Sequence, residues 1–143
     1  MRRKQTTTKE PIMTHIVDYA ALDTNQKLFD YVSAHLLKQN EQAADNVGSC
    51  FYRVPDHPQL MCAAGVCISD ADYSEEMEGL GVEDLLNNYD FKISKPLYAL
   101  IRRSSKLLIA LQSIHDSDES EYWKQELVEL ARRFDLNGPV AAL

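Results

Sequence analysis

The sequence predicts an α+β fold, with a small β-hairpin packed against a mainly helical domain of about four helices. Three observations carry that expectation. Apolar residues recur at helical spacing on both sides of a central stretch, Ser49–Gly79. Within that stretch, aromatic and β-type residues flank the turn chemistry Pro55-Asp56-His57-Pro58-Gln59. No run of about 18 apolar residues occurs, so no segment is expected to span a membrane.

The chain has 143 residues, a length suited to one domain, assigned here to 15–143. Its hydrophobic fraction of 45% is ordinary for a globular protein. Residues 1–14 are basic, Thr-rich and without periodicity, and read as a disordered tail. The tail has no apolar core behind its basic tip, so it is not a secretory signal, and a cytoplasmic location is the default expectation.

The segment 15–22 is short and mixed, an extended arm or a helical turn. Asp23 or Thr24 can cap the first helix, whose stripe is Leu28, Phe29, Val32, Leu36 and Leu37, ending near Gln39. Gln42-Ala43-Ala44 offers one more turn. Cys50–Val54 then suits a strand, and Leu60–Cys62 its returning partner. Ala63–Ile68 is too short for periodicity to decide, and its alanines tilt it towards helix. Gly81–Asn88 reads as a short second helix after an acidic turn at 72–78. The third is the longest, capped by Ser94, with Pro96 in its first turn and a stripe from Leu97 to His115. After a turn at 116–120, a fourth carries Trp123, Leu127, Leu130, Ala131 and Phe134, and Asn137-Gly138-Pro139 stops it.

The net charge of −7 argues against a general nucleic-acid binder, which needs a basic face to release counterions. It suits a soluble protein or one that meets a basic partner surface. Cys50, Cys62 and Cys67 form an odd set, which argues against a disulfide framework and for buried free thiols. With His57 they give C-x6-H-x4-C-x4-C, without the close cysteine pair that wraps a structural zinc ion. No metal and no cofactor are expected. Neither phosphate-binding glycine loop nor G-x-S-x-G occurs, and the acidic run 74–78 lacks the Asp/Asn alternation of an EF-hand loop.

The candidate binding residues are Tyr52, Arg53, Tyr73, Glu78, His115 and Asp116. Arg53, in an otherwise apolar strand, either pairs with a carboxylate (Glu76 or Glu78) or faces an anion. His115-Asp116 is the candidate base for a cysteine nucleophile, Cys62 or Cys50.

The segments C-x-Y-R at Cys50–Arg53, C-A-x-G at Cys62–Gly65, D-x-x-Y at Asp70–Tyr73, M-E-G at Met77–Gly79 and L-Q-x-x-H-D at Leu111–Asp116, followed by Trp123, occur together. In this order they resemble a set of uncharacterised small phage and prophage proteins, over roughly 28–136. The resemblance implies a phage or mobile-element setting and carries no activity. Two function classes follow. The favoured one is a phage accessory binding protein, such as a host-defence antagonist, that occupies a host protein or sequesters a small ligand. The alternative is a small hydrolase or transferase using Cys62 or Cys50 with His115 and Asp116.

Overall fold

A computed structural model describes residues 14–45, 47–117 and 119–139. The expected tail falls outside the described residues, except for Thr14. The extended arm and the helical turn both occur in the next segment. His15–Val17 runs beside the chain at 69–70, where the Asp70 N–H donates to the His15 carbonyl at 2.8 Å and the Val17 N–H to Ser69 Oγ at 2.8 Å. A single 3₁₀ turn, Tyr19–Ala21, follows.

Helix α1, Asn25–Gln39, starts where the Thr24 side chain accepts the Lys27 N–H, and it buries Leu28, Phe29, Val32 and Leu36. It stops at Asn40, whose φ of 52° is the left-handed conformation that asparagine tolerates. The added turn expected from Gln42-Ala43-Ala44 therefore does not form. Ala44 instead makes an isolated bridge with Cys50, and the Phe51 N–H donates to the Ala43 carbonyl at 2.8 Å.

The hairpin exists, but it is shifted. Strand β1 is Arg53–Val54 and β2 is His57–Met61, antiparallel, with Arg53 opposite Met61 and Val54 opposite His57. Only Pro55-Asp56 lies between them. His57, Pro58 and Gln59, expected in the turn, belong to β2, and Cys50–Tyr52, expected in the first strand, do not belong to β1. The bridge to Ala44 draws Cys50 away from the hairpin. Exposed Pro58 is tolerated because each strand of a two-stranded sheet is an edge.

Ala63–Ile68 forms neither a regular helix nor a strand. It is fully buried and holds one 3₁₀ turn, Gly65–Cys67. The cause is a close backbone approach. A Cβ on Gly65 would lie 2.2 Å from the Tyr52 carbonyl oxygen and 2.8 Å from its carbon. Only glycine fits there. Another 3₁₀ turn, Glu75–Met77, is capped by Ser74 and drops Met77 into the core.

Helix α2, Val82–Asn88, forms as expected, and Asp84 Oδ2 accepts the Gly81 N–H at 3.1 Å. The long third helix is two helices, α3 (Lys95–Arg103) and α4 (Ser105–Ser117). They break at buried Ser104, with φ −115° and ψ 25°, whose hydroxyl donates to Asn25 Oδ1 at 2.7 Å. That bond ties the junction to the start of α1, a tertiary contact that helical periodicity cannot foresee. Helix α5, Trp123–Arg133, packs against α1 and α4. Beyond it, the Asn137 N–H returns to Gln26 Oε1 of α1 at 2.8 Å.

Val17, Leu22 and buried side chains from all five helices, the hairpin and the 62–68 segment share one hydrophobic cluster. Fully buried Trp123, Phe29 and Leu111 lie in it. Each fully buried Leu, Ile or Phe contributes about 1.5–3 kcal/mol. No helix among the described residues is long and apolar enough to cross a membrane.

Gly65→Ala must push Tyr52 and its neighbours apart. The expected cost is about 1–3 kcal/mol of folding stability, as for other overpacked core sites. Urea denaturation of the two proteins measures it.

Candidate functional site

The Glu78 carboxylate collects the central stretch around itself. Its Oε1 accepts the Tyr52 N–H at 2.8 Å, and Oε2 accepts the Arg53 N–H at 3.1 Å and the Tyr73 hydroxyl at 2.6 Å. Gly79 follows with φ 86°, so the chain turns directly after the carboxylate is placed. Burial, then the Glu78 bond, pushes the Tyr73 phenol well above its ordinary value.

Arg53 pairs with neither glutamate that the sequence offered. Its Nη1 meets Asp70 Oδ1 at 2.7 Å, and its Nη2 donates to the Ile68 carbonyl at 2.8 Å. The guanidinium lies 4.3 Å from the centre of the Tyr73 ring. Glu78 takes only the Arg53 backbone, and Glu76 pairs with Lys92 at 2.8 Å. Asp70, the true partner, also accepts the His15 N–H. Burial opposes ionisation of Asp70, but the His15 and Arg53 bonds more than offset it and hold its pKa below the ordinary carboxylate value. The signal was the D-x-x-Y segment itself, in which the aspartate and not the later glutamates meets the arginine.

His115 and Asp116 form a second group. His115 is 0% exposed and stacks on Trp123 with ring centres 5.5 Å apart. The Ala43 N–H donates to its Nε2 at 2.9 Å, and Nδ1 lies 2.7 Å from Asp116 Oδ1. An N–H donor at Nε2 places the ring proton on Nδ1, where it is donated to Asp116. Gln42 bonds the His115 carbonyl, and Gln112 bonds Asp116. Ala43, Gln42 and Gln112 carry no recognisable signal in the sequence, because their roles come from chain crossings.

The structure thus brings Tyr52, Arg53, Tyr73 and Glu78 together, and it sets His115 with Asp116 apart from them. The two groups meet at one cavity of about 230 Å³, where Tyr52 and Glu78 face Asp116, Gln112, Cys50 and Cys62. A separate cleft of about 410 Å³ lies on the hairpin side, between Val54, Pro55, Pro58 and Tyr73, with Glu75 and Glu78 at its edge.

All three cysteines are free, with Cys62 and Cys67 buried and Cys50 partly so. Cys50, His115 and Asp116 offer ligand atoms within 4.8 Å of one another, the one such group of three among the described residues. Both metal binding and base chemistry here would have to disturb the hydrogen bonds of the imidazole. A metal on Nδ1 must displace its proton while Nε2 still accepts from Ala43, which leaves the ring as an anion. To accept a proton as a base, the ring must release the Ala43 N–H from Nε2. Burial, then the Asp116 charge and hydrogen bond, pushes the Cys50 thiol up to about 11. Burial likewise raises Cys62 to about 12. For Asp116 itself, burial raises the pKa, but the bonds from His115 and Gln112 outweigh it and the net shift is downward.

Two outcomes test this geometry. Glu78→Ala removes the acceptor for three donors, two of them backbone N–H groups, and is expected to cost about 3 kcal/mol in denaturant unfolding. Cys50 should alkylate slowly with iodoacetamide in the native protein. At pH 8 its thiolate fraction lies about 100-fold below that of an unperturbed thiol, and the rate should climb tenfold per pH unit until it levels near pH 11. Asp116→Asn takes away a negative neighbour, so it should speed the reaction; mass spectrometry follows the adduct.

Compared with protein-family models, with curated proteins and with solved structures, the chain matches none.

Proposed function

We propose that this protein is a phage or prophage accessory binding protein that works in the host cytoplasm by occupying a host protein or sequestering a small ligand. A role as a host-defence antagonist fits that setting. The observation that supports it is the commitment of the polar residues. Glu78 is used by three donors, Arg53 by Asp70 and Ile68, and His115 by Ala43 and Asp116. These bonds shape open clefts and leave no activated nucleophile beside them. Binding needs only the shaped cleft and preformed side chains.

The second reading is a small hydrolase or transferase using Cys50 or Cys62 with His115 and Asp116. It draws support from the closeness of Cys50, His115 and Asp116. It requires the Ala43 bond to break so that Nε2 can take a proton.

Native mass spectrometry of tagged protein recovered from host cells separates the two. The binding reading expects a stoichiometric added mass, ligand or protein, retained equally by wild type and Cys50→Ser. Free protein alone, together with ester hydrolysis that Cys50→Ser abolishes, overturns it.

A further inference from the structure

The cavity at Cys50 and Asp116 continues into a second one of about 320 Å³, because Gly81, Val82, Gln112 and Asp116 line both. Together they make one groove along the 78–84 segment. Its walls carry the carboxylates of Glu78, Glu83, Asp84 and Asp116, and no Lys, Arg or His is in the lining. None of the four has a lysine or arginine within ion-pair distance among the described residues. Asp116 is kept ionised against burial by hydrogen bonds from His115, Gln112 and Cys50, with no lysine or arginine contributing. The surrounding field has the same sign, since 70–91 contains repeated Asp and Glu and no basic residue.

Shape adds to charge. A Cβ on Gly79 would meet nothing within 4 Å, and one on Gly81 only Asp84 at 3.9 Å, so the groove wall is open backbone at both glycines. Apolar surface from Leu80, Val82 and Ile109 alternates with the acids, and Ile109 is exposed. A hydrated inorganic cation gains nothing from such surface, whereas the methylene stem of a lysine or arginine does. A second copy of this chain, also carrying −7, is repelled.

We infer that this groove is the docking surface for a basic, extended segment of a partner protein, with one lysine or arginine side chain entering the cavity beside Asp116. The inference rests on the binding reading above and names the chemistry of the partner. The segment lies along 79–84, its cation held between Asp116 and Glu78 and its neighbouring basic side chains against Glu83 and Asp84. Attraction of this kind speeds encounter and weakens with salt.

The probe is a fluorescein-labelled nine-residue peptide alternating arginine with leucine and glycine, titrated against the full chain by fluorescence anisotropy. The expected result is saturable binding that weakens with salt, with NMR amide shifts centred on Gly79, Gly81, Val82 and Gln112. Glu83→Lys, at a side chain with no partner among the described residues, should weaken binding at least about tenfold, the loss of one charge-assisted contact. Glu129→Lys, outside the groove on α5, changes the net charge equally and should have little effect. Four results overturn the inference: no saturable binding, equal loss in both variants, shifts centred elsewhere, or spermidine competing as well as the peptide. If the peptide fails while native mass spectrometry still finds an added mass, the groove assignment falls and the binding reading stands.

Discussion

The Glu78 carboxylate is the constraint on which the central stretch depends. It satisfies two adjacent backbone donors, Tyr52 and Arg53, at the point where the chain enters the hairpin, and it anchors the Tyr73 hydroxyl. Backbone N–H groups left unpaired in a part-buried site are costly, so the carboxylate fixes the segment 50–54 against 73–79. The Gly65 contact with the Tyr52 carbonyl works from the other side of the same residue. Tyr52 is therefore held at its N–H by a carboxylate and at its carbonyl by a glycine, which leaves little freedom in the placing of its ring. Its hydroxyl reaches the Leu80 carbonyl and closes the loop back to Glu78.

His115 does for the helical side what Glu78 does for the hairpin side. Helix α4 ends beside the 42–44 segment, and the imidazole accepts the Ala43 N–H while stacking on Trp123 of α5. One side chain thereby joins α4, α5 and the chain leaving α1. A histidine used in this way is fully buried and hydrogen-bonded at both nitrogens, with Nε2 taken by a backbone N–H. The closeness of Cys50 and Asp116 follows from the bridge between Ala44 and Cys50, which carries the thiol to the same place.

Glu78 and Asp116, the residue after His115, both line one cavity, and this explains why residues with a catalytic look surround it. Polar groups that cross-link a small domain gather where its layers meet, and clefts form at the same seams. The acidic stretch 70–91 lies along that seam. Many of its charges are spent on the fold: Asp70 with Arg53, Asp72 with Tyr19 and Ser94, Glu76 with Lys92, Glu78 with Tyr52, Arg53 and Tyr73, and Asp84 with Gly81.

By itself the sequence determined the fold class, the helices over 25–39, 82–88 and 123–133, the cap at Ser94, a cap at Asp23 or Thr24, and the existence of a hairpin after Cys50. Those features are local, set by apolar spacing, capping side chains and turn residues within a few positions. It also singled out Tyr52, Arg53, Tyr73 and Glu78, because aromatic and charged residues interrupt otherwise ordinary patterns. Only the tertiary structure decided that the third helix breaks at Ser104, that β2 begins at His57, that Arg53 chooses Asp70, and that His115 serves Ala43. Three of these turn on a partner at least 17 residues away, Ser104 with Asn25, Arg53 with Asp70 and His115 with Ala43, while the start of β2 follows from the bridge that draws Cys50 to Ala44. Periodicity reports which face of an element is buried, but not which distant donor or acceptor waits there.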